Sequence, residues 1–200
     1  MKVEPVTLEG RHVRMEPLSY DHHSGLCEIG LDPDLWQWIP YAVTTPDEMQ
    51  AYIRTAFEWQ AAGTALPFVT IADGRVAGCT RYMNIETAHR RLEIGATFVG
   101  RAWQRSVVNT EAKYLMLRHA FEAWGCIRVE LKTDALNQKS RNAILRIGAK
   151  EEGTLRRHLV TWTGRVRDTV YFSILDDEWP EAKRRLQGLL EGKLDSRRNT

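Results

Sequence analysis

The run Glu93-Ile-Gly-Ala-Thr-Phe-Val99 reads as a strand, and shortly after it Trp103-Gln-Arg-Ser-Val-Val-Asn-Thr-Glu-Ala112 opens a long amphipathic helix. A strand that ends in a short polar turn and enters a helix leaves the first backbone N–H groups of that helix without partners, which makes an anion site. Gln104, Arg105, Ser106, Asn109 and Thr110 crowd further donors into this turn, where the helix dipole also favours negative charge. Val107 stands where such loops usually carry glycine. An ordinary capped helix start remains the competing reading of the same residues.

The rest of the chain organises around that junction. Residues 6–18 read as an opening strand with a turn near Gly10, and residues 20–31 as a short helix. Thr45-Pro-Asp-Glu48 is a helix start with a capping box, for a helix reaching about residue 62 and stopping near Gly63. Residues 66–72 and 76–85 flank the hairpin signal Asp73-Gly74, and 91–99 adds a further strand. A helix over 108–124 stops at Gly125, and a strand over 127–133 precedes a helix over 137–147 stopped by Gly148. Residues 149–161 and 165–175 pair across Gly164, and a last helix spans about 178–190. The order is an α/β mixed arrangement: one twisted mixed sheet of about seven strands with helices on both faces. A single domain over 1–187 and a polar C-terminal tail over 188–200 are expected.

Composition narrows the function classes. With 200 residues and 43% hydrophobic content the chain can bury one core. A net charge of +2 with acidic and basic residues mixed gives no basic stripe for nucleic acid. Cys27, Cys79 and Cys126 are isolated and outside metal spacings, which fits reduced thiols in a cytoplasmic protein. No apolar run approaches the roughly 18 residues of a membrane span, and Met1–Pro5 has no signal-peptide core. Dinucleotide, P-loop, zincin and α/β-hydrolase readings lack their marker residues, and no metal is expected.

A second helix start, Asn137-Gln-Lys-Ser140, follows the next strand and puts Asn137 and Ser140 on one side of its first turn. Asn137 alone is more often just an N-cap. In a sheet of this order the two helix starts follow neighbouring strands at their carboxyl ends, where ligands of α/β sheets gather.

These blocks, together with Gly148-Ala149-x-x-Glu152-Gly153 and Tyr171-Phe-Ser-Ile followed by Glu178-Trp-Pro180, resemble the GNAT acyltransferases. Within that family the chain is most similar to the branch of ribosomal-protein N-terminal acetyltransferases (RimJ/RimL-like). The resemblance covers about residues 6–187. It implies an acetyl-CoA-dependent N-acyltransferase acting by direct transfer onto a primary amine, either of a protein N-terminus or of a small molecule. A catalytically degenerate coenzyme A sensor or interaction module is the alternative. Membrane and nucleic-acid partners are not implied, and a homodimer is left open.

By the same resemblance, Phe98 and Val99 would contact the pantetheine arm in a gap between two splayed strands. Gln104, Arg105, Ser106, Val107, Val108, Asn109 and Thr110 would form the pyrophosphate loop, Asn137 would hold the pantetheine, and Lys139 or Arg141 would approach the nucleotide phosphates. Glu93 matches a general-base position, against the alternative of a solvated carboxylate or a pair with Arg91. A tyrosine often used as acid is replaced here by Ile144, leaving Ser140 as the hydroxyl near the expected sulfur. Trp36, Trp38 and Trp162 lie in segments that border the acceptor in this fold, with core packing the competing role.

Overall fold

Thr45 caps the second helix and Glu48 reaches back to it, as the capping box requires. The computed structural model describes residues 1–192, and in it each sequence-level helix forms: α1 (His23–Gly30), α2 (Pro46–Ala61), α3 (Val107–Arg118), α4 (Gln138–Arg146) and α5 (Trp179–Leu190). The strands are β1 (Leu8–Glu9), β2 (Arg14–Pro17), β3 (Ala65–Ala72), β4 (Arg75–Glu86), β5 (Arg91–Val99), β6 (Arg128–Asp134), β7 (Lys150–Val160) and β8 (Val166–Leu175). They form one sheet of eight strands in the order β1-β2-β3-β4-β5-β6-β8-β7, antiparallel except for the parallel β5–β6 pair. α5 runs on to Leu190, beyond the expected end of the domain at 187, and residues 193–200 of the expected tail lie outside the described residues.

The count of eight corrects the expected seven, because the opening segment divides at Gly10 into β1 and β2. The cause lies a hundred residues away. The buried Glu111 carboxylate accepts the backbone N–H groups of Arg11, His12 and Val13 at 2.9, 2.6 and 2.8 Å, which turns the chain sharply. A side chain at Gly10 would meet that carboxylate at 2.7 Å, so only glycine fits beneath it.

Alternation along the strands sorts residues to two cores. Tyr82, Leu92, Ile94, Val129 and Leu131 pack on the face covered by α3 and α5, with Leu115, Met116 and Leu186. Val69, Cys79 and Phe98 pack on the other face against Leu26, Met49, Tyr52 and Ile53 of α1 and α2. Beyond α2 this second face is lined by polar groups instead: Arg81, Glu93, Asp134, Arg167 and Thr169 are all buried. Among the described residues no helix is long and apolar enough to cross a membrane.

Candidate active site

β5 and β6 run side by side for only three residue pairs, Arg91↔Arg128 to Glu93↔Glu130. From Ile94 onward β5 stays with β4, while β6 continues to Asp134 paired with β8. Backbone groups on the β6 side of residues 94–99 therefore lack a ladder partner, a demand that something in the gap must meet. The parting is reinforced by a bulge. Cys79 pairs with Phe98 and Arg81 with Gly95, so two β5 residues, Ala96 and Thr97, oppose Thr80 alone. Ala96 takes φ 48°, a left-handed conformation that is strained for alanine.

The two helix starts stand at the open end of this gap and are tied to each other. Gln104 donates from Nε2 to the Val99 carbonyl at 3.0 Å and accepts Lys139 Nζ at 2.6 Å. Arg105 is left-handed at φ 59° and exposed, and Ser106 caps α3 by accepting Val108 N–H at 3.3 Å. Val107 is then the first helical residue, outside the positive-φ set, so its β-branched side chain meets no backbone conflict. The N–H groups of Val107 and Asn109 have no acceptor among the described residues. These donors, with the helix dipole, answer the description of an anion cradle.

Several expected contacts are spent elsewhere. Val108 buries its side chain in the α3–α5 core and its N–H in the Ser106 cap. The buried Thr110 hydroxyl accepts Arg146 at 2.6 Å, fastening α3 to α4 instead of facing the gap. Arg141 is spent on Glu151 at 3.1 Å and the Ala135 carbonyl at 3.3 Å. Phe98 packs its ring between Trp36 and Tyr52, which leaves only its backbone for the gap.

Asn137 caps α4 by accepting Ser140 N–H at 3.0 Å, so the N-cap reading holds for its carbonyl oxygen. Its Nδ2 and the half-buried Ser140 Oγ have no partner among the described residues. Ile144, in the place of the missing tyrosine, is buried in the core.

Glu93 is neither solvated nor paired with Arg91. It is 1% exposed; its Oε2 accepts Asn84 Nδ2 at 2.8 Å and pairs with Lys132 at 2.9 Å, whereas Arg91 reaches Glu86 and Glu130. Oε1 carries no such bond and lies over Gly95, where an added Cβ would come within 2.9 Å. A cleft of about 450 Å³, lined by Asn84, Arg91, Glu130 and Tyr171 among others, opens on this face.

The tryptophans converge, with one correction. Trp36 is 1% exposed and donates to the Gly30 carbonyl, which makes it core and removes it from a binding wall. Trp162 donates to the Trp36 carbonyl at 3.0 Å, and Arg167 to the Trp38 carbonyl at 2.6 Å, so the loop before α2 is fastened to the β7–β8 hairpin. The half-buried Trp38 and exposed Trp162 remain at the rim.

Sequence reasoning passed over Lys113, Arg81, Lys132 and Asp134. Lys113 is buried on α3 and donates to Thr97 at 2.8 Å and to Thr80 at 3.4 Å, while Thr80 and Thr97 meet at 2.7 Å. This network straps the bulge, and burial pushes the Lys113 ammonium down to about 7. Asp134 is fully buried, pairs with Arg165 and accepts Leu136 N–H at 2.9 Å, which shapes the turn into α4. The alternation of Glu130 and Lys132 against Val129 and Leu131 was the available signal for Lys132.

A strand pair that opens after three residues onto two helix starts is the architecture of an acyltransferase gap, and residues 12–150 match the Acetyltransferase (GNAT) domain family. The chain belongs to the GNAT acetyltransferases and is an N-acetyltransferase, related to the RimJ/RimL-like branch. Among its relatives, a GCN5-related N-acetyltransferase from Brucella melitensis is 33% identical, with coverage of 95% of this chain and 87% of that one and a TM-score of 0.87. RimJ of Mycobacterium smegmatis, solved in complex with CoA-disulfide, is 25% identical over 92% of this chain and 95% of its own, with a TM-score of 0.81. YdaF of Bacillus subtilis (strain 168), provisionally named a ribosomal N-acetyltransferase, is 29% identical over 153 residues, 74% of this chain and 82% of that protein.

Proposed function

We propose that the chain uses acetyl-CoA to acetylate a primary amine, carried by a protein N-terminus or by a small molecule, in a ternary complex. The observation that carries this reading is the parting of β5 from β6 between two helix starts joined by Lys139 and Gln104. Orphan N–H groups at Val107 and Asn109 suit a pyrophosphate, and the unpaired edge of residues 94–99 suits the amides of a pantetheine arm. Acetyl-CoA supplies the activated acyl thioester. The protein acceptor is supported by the ribosomal N-acetyltransferase name of YdaF.

The chain's own groups divide the proton traffic. Glu93, held by Asn84 and Lys132 with Oε1 free, takes the proton of the acceptor amine. An α-amine, whose ordinary pKa is about 8, gives it up more readily than a lysine near 10.4. Ser140, whose N–H is fixed by Asn137, presents its hydroxyl to the departing thiolate. Burial raises the thiols of Cys27 and Cys79 and pushes Cys126 up to about 11, which disfavours an acyl-cysteine route.

Calorimetric titration with coenzyme A tests the gap: absence of binding at millimolar concentration overturns the reading. An amine panel followed by thiol release tests transfer; binding without release from any amine leaves a coenzyme-binding protein instead. Ser140→Ala is expected to lower kcat about tenfold or more with coenzyme affinity nearly unchanged, and equal loss of both removes its role as acid.

A further inference from the structure

Arg81 stands on the same sheet face as Glu93, across from Gly95, while Met83 stands across from Glu93 itself. Gly95 has no side chain, so no β5 side chain stands between Arg81 and Glu93; Met83 Sδ and Glu93 Oε1 lean over the glycine, 2.6 and 2.9 Å from where a Cβ would sit. Arg81 is 1% exposed, and its Nε and Nη2 have no hydrogen-bond partner. No ion pair to it occurs among the described residues, and Glu93 is already held by Lys132.

Its neighbours attract a cation, and the Tyr52 side chain bonds to it, yet Nε and Nη2 stay without a partner. The guanidinium carbon lies 4.8 Å from the Tyr52 ring centre and 5.2 Å from that of Trp59. Ring faces stabilise the charge but accept none of the in-plane N–H groups. Burial raises the phenols of Tyr41 and Tyr52 and the thiol of Cys79, so none of them provides an anion near neutral pH. Arginine cannot shed its proton, and a buried guanidinium with idle donors calls for a planar anion. Tyr41, packed on Tyr52 and Trp36, lies in residues 40–43, whose backbone makes no hydrogen bond among the described residues. Side-chain packing holds this segment, so a ligand reaching Arg81 would have only such packing to displace there.

We infer that Arg81 is an acceptor subsite for a carboxylate, and that the preferred substrate is an amine bearing a carboxylate a few bonds from its nitrogen. Two sources share that chemistry: a free amino acid, and a polypeptide whose first residues include Asp or Glu. The inference rests on the acetyl-transfer reading above.

The test is a thiol-release assay with acetyl-CoA and matched acceptors. One arm compares peptides beginning with Asp or Glu against their Asn or Gln partners, and the other compares free amino acids with their amides. The expected result is a preference of about tenfold or more in kcat/KM for the carboxylate in one arm, carried mainly by KM. Arg81→Gln should remove that preference by raising KM for the carboxylate acceptor, and Arg81→Lys should restore part of it. Equal rates within both pairs, or an Arg81→Gln effect that is equal on carboxylate and amide, overturns the subsite and leaves acetyl transfer standing. Absence of release from every amine overturns both. Should Arg81→Gln fail to fold, Arg81→Lys decides: a reduced preference supports the subsite and an unchanged one overturns it.

Discussion

Two buried cations lie back to back across the β4–β5 ladder and meet burial in opposite ways. On the α3 face, Lys113 is wrapped by two threonine hydroxyls, and burial brings it down to about 7, so it is largely neutral above that pH. On the α2 face, Arg81 stays charged, with two aromatic faces and two nitrogens, Nε and Nη2, that have no hydrogen-bond partner. The first solution is complete within the chain and serves geometry, because the lysine holds the bulge that opens β5 from β6. The second is incomplete within the chain, and an incomplete buried charge is what a ligand site looks like before its ligand arrives. The difference teaches that the residue type, more than the depth of burial, separates a structural cation from a binding one.

The largest effect that can break this comparison is on stability against pH. Lys113 has a folded pKa lowered from 10.5 to about 7, so between those values the unfolded chain holds a proton that the folded chain lacks. Stability therefore rises with pH across that window and is lowest below 7; the contribution is on the order of 4–5 kcal/mol. Lys113→Met should flatten this rise and be more stable than the parent near pH 6, measured as denaturant midpoints at pH 6, 8 and 10. A parent chain whose stability does not change from pH 7 to 10 would contradict a neutral Lys113.

Next comes the donor side of the same face. Val107→Pro removes one orphan N–H at the first helical position, where proline is well tolerated, and Ser106 before it is already extended at φ −104°, ψ −177°. Coenzyme A affinity should fall about tenfold, with the thermal midpoint nearly unchanged. Val107→Gly should change affinity far less, since valine already presents its N–H in a relaxed conformation. Equal losses for both substitutions would place the phosphates elsewhere. Neither should alter the carboxylate preference assigned to Arg81.

The smallest effect concerns the empty chain. If Arg81 is an unmet charge, Arg81→Met should leave stability unchanged or raise it by about 1–2 kcal/mol, with no dependence on pH between 6 and 10. A loss of about 3 kcal/mol or more in a chemical unfolding experiment would make Arg81 a structural anchor and dissolve the contrast with Lys113.

The fold was legible because its signals are local. Alternation set β5 at 91–99, the capping box set the start of α2, and Asp73-Gly74 adopts the two positive φ values that a tight hairpin requires. The two helix starts were legible for the same reason. What sequence could not show is where long side chains are spent. Thr110 looks like a phosphate donor until Arg146 claims it, Trp36 looks like a wall until the α1–α2 core encloses it, and the division at Gly10 depends on Glu111. Lys113 and Arg81 were passed over because charged residues usually face water, and only packing reveals that these do not.

Glu111 has a consequence for how the molecule assembles. Its carboxylate joins residues 11–13 to the second turn of α3 across about a hundred residues of chain. During synthesis the first hairpin emerges long before this anchor, so its bonds to Glu111 can form only once α3 has left the ribosome. Closure over so long a loop is entropically slow, so the cradle at the start of α3 should mature late in folding. Slowing translation within residues 14–110 should lengthen that interval of exposure, whereas slowing it after α3 should not.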